Sequence, residues 1–384
     1  MLFLLFSEIL WRRVHPVFPF RIQEKKQMKK DNIAVIGRLA EGTELLDGQT
    51  VKTKILYEEL QKAFPDRHVV CVDVYQYRRR FFGILFRTLK AFWECGHIFV
   101  LLSRNGRKFF FPVLTGLNRI FQRRLYHDVV GGALPKEAEE RPALVRQLKR
   151  FDVNWVELPE MKEQLAKLGV HNVDVLRNFK QLSILSGNMI PEQPYGEPFS
   201  FVMFSRVVKE KGMETAAWAV SEVNRRAGRC RAVLNIYGPV EPGYEEAFGN
   251  LLKEYSGCVS YCGCVPYSES VQALAGNYML LFPSVYPGEG LPGTLIDAYS
   301  AGLPVIASDW RFNRQLVNKG ETGFCYEWKK PEQLTEYISY AVDHPEEIQR
   351  MRPLCIEEAR KYTPEAVMGQ IIRKVEDNEK REKR

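Results

Sequence analysis

Short apolar runs recur along the chain, each followed by a loop and an amphipathic stretch. Asn32 to Gly37 is apolar from Ile33 onward and closes on a glycine, the pattern of a strand buried on both faces of a parallel sheet. Thr50 to Lys62 then reads as a helix and His68 to Asp73 as the next strand. His97 to Leu102 and Lys108 to Pro112 read as further strands. A second series starts near residue 198, with strands at Phe199 to Phe204, Ala232 to Tyr237, Val259 to Gly263, Tyr278 to Phe282 and Pro304 to Ala307. Helices fit between them, notably Met213 to Arg226 and Ser268 to Ala275. Strands alternating with helices predict an α/β fold of two Rossmann-like, doubly wound domains with a cleft between them. The expected divisions are an N-terminal extension (1–28), a first domain (29–185), a linker (186–197, with two Pro and two Gly), a second domain (198–362) and a C-terminal helix (363–384) returning to the first domain.

Composition narrows the class. The 384 residues suit two domains, and 45% hydrophobic with 27% charged residues excludes disordered and fibrous chains. No apolar run approaches the ~20 residues that cross a bilayer. Met1 to Trp11 is apolar apart from Ser7 and Glu8, with Arg12-Arg13 behind it. It lacks a basic start and a small-residue cleavage site, so it is not read as a secretion signal. A short interfacial helix or an upstream extension both fit, and the extension is preferred because Met28 precedes the first structural signal. Cys258, Cys262 and Cys264 lie close together without the partners of a zinc site. Free thiols favour a reducing, cytoplasmic location.

Charge is uneven. The total is +8, but residues 1–180 hold 32 basic and 20 acidic side chains. Segment 78–124 alone holds eleven basic side chains and one acidic, Glu94. Phe81, Phe82, Phe86, Phe92 and Trp93 are interleaved with those cations. Such a surface attracts nucleic acid, anionic lipid or a phosphorylated substrate. No nucleic-acid-binding motif accompanies it, so no nucleic acid is expected, and a peripheral anionic membrane surface is the favoured partner over a plain core helix.

The chemistry concentrates in the second half. The first loop, with Gly37 and Gly42, has neither a dinucleotide fingerprint nor a Walker A. Asp47-Gly48-Gln49-Thr50 enters a helix, and Gly48 permits close approach of an anion, though a plain turn explains it as well. Ser205-Arg206 to Lys211-Gly212 places two cations five residues apart directly after a strand, suited to a diphosphate. Gly288-Glu289-Gly290-Leu291 forms a loop whose backbone can touch a ligand, and Thr294 lies early in the next helix, whose N-terminus favours an anion. Glu289 and Asp297 are two acceptors suited to a polyol at two places.

These segments resemble the two signatures of retaining, nucleotide-sugar-dependent glycosyltransferases of family 4, which have the GT-B fold. Arg206 and Lys211 match the cations of the family's G-R-x-x-x-E-K-G loop, with Ser205 in place of its Gly. Glu289 matches the first acid of its Glu-x7-Glu motif, and Asp297 stands in place of the second. The Glu-Gly-x-Pro-Gly-Thr-x-Ile-Asp version is similar to a capsular and exopolysaccharide branch. Asp47 to Thr53 is similar to the N-terminal Gly-Gly loop. The resemblance implies that Arg206 and Lys211 bind the donor diphosphate and stabilise the leaving nucleotide. It implies that Glu289 binds sugar hydroxyls, that the backbone after it touches phosphates, and that Asp297 binds ribose. Gly48, Ser205, Gly288, Gly290 and Leu291 complete the donor site. It also implies that His127, ending a strand at the cleft, approaches the sugar; a core histidine is the alternative. No Asp-x-Asp occurs, so neither metal nor other cofactor is expected. The implied partners are a UDP- or GDP-sugar and a glycan acceptor, lipid-linked, at the inner membrane face. A GT-B-shaped nucleotide-sugar isomerase and a non-catalytic subunit of a glycan-assembly complex are the rival readings.

Overall fold

The computed structural model describes residues 31–40, 42, 48–186 and 196–382. The expected N-terminal extension, Asp47 and most of the expected linker lie outside the described residues. Among the described residues two six-stranded sheets form, and every pairing between their strands is parallel. The first holds β1 (Ile33–Gly37), β2 (Val69–Asp73), β3 (His97–Leu101), β4 (Arg124–Asp128), β5 (Val153–Val156) and β6 (Val173–Val175), in the order β2-β1-β3-β4-β5-β6. The second holds β7 (Phe199–Phe204), β8 (Ala232–Tyr237), β9 (Val259–Gly263), β10 (Met279–Phe282), β11 (Val305–Ser308) and β12 (Gly323–Tyr326), in the order β12-β11-β10-β7-β8-β9. The doubly wound α/β architecture is therefore present twice.

In each sheet the winding reverses once. After β2 the chain returns to the other side of β1, and after β9 to the other side of β7. Strands that part in this way leave a crevice beyond their carboxyl ends, between β1 and β3 and between β7 and β10. The strands are apolar on both faces because helices cover both sides. Fully buried Ile33, Val35, Ile98 and Val100 illustrate this in the first sheet. Burying one such side chain contributes ~1.5–3 kcal/mol.

Three helices matter for the first half: α1 (Gly48–Ala63), α2 (Phe81–Glu94) and α3 (Arg104–Phe121). The strand expected at Lys108 to Pro112 is instead the middle of α3. Phe110, Phe111 and Leu114 are buried while Phe109 is exposed, so a run of three aromatics wraps onto a helical face. A short apolar run carries no period that separates strand from buried helix. In the second half, α4 (Met213–Ala227) follows β7 and α5 (Gly293–Ser300) follows β10. The last helix, α6 (Pro364–Glu382), packs on the first sheet. Val367, Met368, Ile371 and Val375 join the core of Phe99, Tyr126 and Trp155, whose rings stack. Asn378 donates to Tyr126 Oη at 3.0 Å, and Glu379 accepts from Arg67 and faces His97. Among the described residues no helix is long and apolar enough to cross a membrane.

Candidate functional site

Two loops meet at the crevice between β7 and β10. The first leaves β7 at Phe204 and passes through Ser205, Arg206 and a single 3-10 turn, Lys209–Lys211, before Gly212 opens α4. Gly212 has φ +80° and lies against Pro283, so a side chain there would meet strain and the carbonyl of the second loop. The second loop leaves β10 and runs to α5. Val285 N–H donates to Glu210 O at 2.8 Å and ties the two together.

Glu289 is buried at this meeting point. Its Oε1 is paired with Lys211 Nζ and accepts from Ser284 Oγ at 2.8 Å. Ser284 is itself fixed, since its carbonyl accepts from Ser308 Oγ at 2.6 Å. Lys211 Nζ stands 5.2 Å from the Tyr286 ring centre, and the Arg206 guanidinium stands 5.5 Å from the same ring. Tyr286 thus gathers the two cations, with Arg206 paired to Glu241 at 3.2 Å and half exposed. A half-exposed guanidinium and a partly covered ammonium on one ring are placed to neutralise a polyanion entering from solvent. Ser205 lies beside them, its hydroxyl donating to Arg206 O at 3.1 Å.

The remaining candidates are placed differently. Asp297 lies in α5, 2% exposed, and both its oxygens accept from Lys180 Nζ at 2.7 Å. Ser270 Oγ donates to it at 3.2 Å. Its carboxylate is held in an ion pair with Lys180. Leu291 N–H donates to Glu157 Oε2 at 2.8 Å, and Leu291 O accepts from Asn178 at 3.1 Å. Gly288 O accepts from Gly132 N–H at 3.2 Å. A Cβ on Gly290 would run into Glu157, which is why the loop is glycine at that point. So the backbones of Gly288 and Leu291 bond to the first half, while the Glu289 side chain between them pairs with Lys211. Gly48 opens α1 in the first half and is not brought to the cluster.

His127 sits in the core, the alternative reading of this residue. It lies in β4, fully buried, with ring centres of Phe111 and Phe151 at 4.9 and 5.4 Å. Its side chain points into the core because helix α3 covers that face of the sheet. Nδ1–H donates to Asn154 Oδ1 at 3.0 Å, and among the described residues Nε2 has no partner. Burial, with Arg107 nearby, pushes its pKa down to about 3, so the ring is neutral.

Several residues on this seam carried no sequence signal. Glu157, at the end of β5, is buried beside Lys52, whose Nζ is 2.6 Å from Asp128 and 3.8 Å from Glu157. Burial raises the Glu157 and Asp128 pKa values while Lys52 opposes the rise. Lys180 and Arg311 also bridge; Arg311 donates to Pro287 O and Gly132 O at 2.6 and 2.9 Å. A lone acid after a strand or a lysine before a linker has no motif; only the juxtaposition of the halves gives these residues a role. Among the described residues no group of three His, Cys, Asp or Glu is arranged to hold a metal ion.

The segment that builds the cation cluster is also the one that known proteins share. Residues 198–344 match the family Glycosyl transferases group 1. This group 1 segment holds Arg206, Lys211, Glu289 and Asp297. Two curated relatives are similar to the chain. The alpha-D-kanosaminyltransferase of Streptomyces kanamyceticus is 23% identical over 146 residues, covering 38% of this chain and 37% of the relative. The amylovoran biosynthesis glycosyltransferase AmsK of Erwinia amylovora is 25% identical over 140 residues, covering 35% and 33%. The chain thus spans about a third of the length of the curated relatives it matches. Solved structures extend the likeness beyond the group 1 segment. Anabaena Alr3699/HepE in complex with UDP has a TM-score of 0.71 at 14% identity, covering 90% of this chain and 100% of that one. Sucrose-phosphate synthase from Thermosynechococcus elongatus has a TM-score of 0.71 at 17% identity, covering 91% and 100%. At such identities the likeness shows the fold, which is GT-B.

Proposed function

We propose that the chain is a glycosyltransferase that moves a sugar, with retention, from a UDP- or GDP-sugar to a glycan acceptor. The observation that carries this reading is the cluster of Lys211, Glu289 and Arg206 around Tyr286, at the crevice of the sheet that lies in the group 1 segment. As the bond from the sugar to the diphosphate breaks, negative charge grows on the leaving phosphate. Arg206 and Lys211 stabilise that charge without a metal. Glu289 holds sugar hydroxyls while its salt bridge fixes the direction of Lys211. The complexes of HepE with UDP and with UDP-glucose support a nucleotide-sugar as the donor, and AmsK supports a polysaccharide setting. Retention rests on the resemblance to family 4. The basic, aromatic-rich segment 78–124 supports a lipid-linked acceptor and peripheral attachment to the inner face of the membrane.

The test is slow hydrolysis of UDP- and GDP-sugars by the purified chain in EDTA. Hydrolysis is expected with one nucleotude class, unchanged by the chelator, and Lys211→Ala is expected to lower it by ~10²–10³. Activity that vanishes in EDTA and returns with Mg²⁺ overturns metal independence. Absence of both hydrolysis and any nucleotide-induced thermal shift overturns the donor reading.

A further inference from the structure

A third cation stands beside the donor loops, and it comes from the segment that follows the first sheet. Lys180 Nζ is 2.7 Å from both oxygens of Asp297 in α5. An ammonium equidistant from the two oxygens fills the place that a pair of ligand hydroxyls would take on that carboxylate. We propose that Lys180, not Asp297, meets the donor at this point. Its ammonium donates to an oxygen of the nucleotide, and Asp297 is a positioning residue that holds the ammonium in place. The inference rests on the donor reading given above.

Exposure and valence both favour the lysine. The Lys180 side chain is 13% exposed and that of Asp297 only 4%. Asp297 Oδ1 also accepts from Ser270 Oγ at 3.2 Å, so the acid is engaged from within the fold. An ammonium carries three donors, and the two contacts to Asp297 leave one over. Among the described residues no other oxygen accepts from it. A cation with a donor to spare, fixed by a buried acid, suits an anionic or lone-pair oxygen of a ligand.

The segment that carries Lys180 is built against the donor loops. Asn178 Nδ2 donates to Leu291 O at 3.1 Å, and Lys180 N–H donates to Tyr362 O at 3.0 Å. Lys180 Nζ is 3.5 Å from where a Cβ on Gly293, the first residue of α5, would stand. The next residue, Thr294, donates through its hydroxyl to Phe204 O, directly before Ser205 and Arg206. The start of α5 therefore touches both Lys180 and the strand end that leads to Arg206. Tyr267 closes another side: its ring centre is 4.9 Å from Lys180 Nζ, and its hydroxyl donates to Gln181 O at 3.4 Å. From there the chain runs along α5 to Leu185, whose N–H donates to Ser300 O at 2.8 Å at the far end of that helix.

Calorimetric titration of the full chain with UDP and GDP, and with the 2′,3′-dideoxy form of whichever binds, tests this. Lys180→Met is expected to weaken binding about tenfold or more, and Lys180→Arg, which keeps a cation, to recover most of the affinity. Asp297→Asn leaves the ammonium in place and should cost less than Lys180→Met. If Lys180→Met does not fold, because Asp297 is left buried without a counter-ion, the neutral pair Lys180→Met/Asp297→Asn replaces it, with the same loss expected. A loss that disappears with the dideoxy ligand upholds the contact and places it on the ribose; a loss that persists upholds it and places it on the diphosphate. Unchanged affinity in the folded lysine variant or neutral pair overturns the inference alone. A larger loss in Asp297→Asn than in Lys180→Met makes the acid the contact and also overturns it. Failure of the wild type to bind either nucleotide defeats the donor reading, and this inference with it.

Discussion

Lys211 meets its counter-charge in Glu289, while His127 has given up its charge altogether. The difference lies in what surrounds each side chain. Lys211 has a carboxylate and two aromatic rings, Phe282 and Tyr286, whose faces favour a cation. His127 has Phe111, Phe151 and a nearby Arg107, none of which favours one. The consequence is a pH dependence. An unfolded histidine takes a proton below about pH 6.5, whereas folded His127 resists until about pH 3. Between those values the unfolded chain binds more protons, so falling pH favours unfolding. This one group is expected to remove about 2 kcal/mol of stability between pH 8 and pH 5. Urea unfolding at the two pH values, in wild type and His127→Gln, checks it; an equal pH dependence in both chains refutes it.

At the level of elements, α2 is apolar on two sides. Ile84, Ala91 and Phe92 face the core, while Phe82, Phe86 and Trp93 are 83%, 69% and 63% exposed. Arg87 and Lys90 flank the outer stripe. Each cation near an anionic membrane contributes ~1 kcal/mol, and the attraction fades within a Debye length. The protein is expected to sediment with phosphatidylserine-containing vesicles at low salt and to be released at high salt. Phe82→Ser/Phe86→Ser/Trp93→Ser should abolish sedimentation; retention of binding by that folded variant would rule out α2 as the contact. The same element shows what could be read in advance. Glycine-bounded loops after strands announced Lys211 and Glu289, because a backbone that needs glycine and a cation that follows a strand both leave local marks. The aromatic run in α3 left none, since Phe109 to Phe111 suits either period. Glu157 and Lys180 were illegible for another reason: their partners, Leu291 and Asp297, lie more than a hundred residues away. Asp297 shows both effects, announced as an acid of the motif yet held by an unannounced lysine.

The whole molecule is closed by a seam between its halves. Gly132 meets Gly288, Glu157 meets Leu291, Arg311 reaches Gly132, and Gln315 reaches Glu160 at 2.6 Å. Glu157 is the buried member, so its loss leaves Leu291 N–H unanswered and weakens the pairing of Lys52. A lost buried hydrogen bond costs ~1–3 kcal/mol. In Glu157→Ala, amide exchange across residues 287–292 is expected to speed up at least tenfold while β7 and β8 keep their protection. Unaltered exchange in that loop would mean that the seam is held without Glu157.

Helix α6 follows the second half in the chain but belongs to the core of the first, through Val367, Ile371, Asn378 and Glu379. This bears on how such a chain can be shuffled. The segment shared with the group 1 family, residues 198–344, stops short of α6. An exchange of that block alone leaves the α6 contacts to Tyr126 and Arg67 native. A crossover that carries everything downstream delivers a foreign helix to a core it did not evolve with. Ile348 and Met351, downstream of that segment, still belong to the core of the second half, so the boundary between the two cores falls between them and Val367.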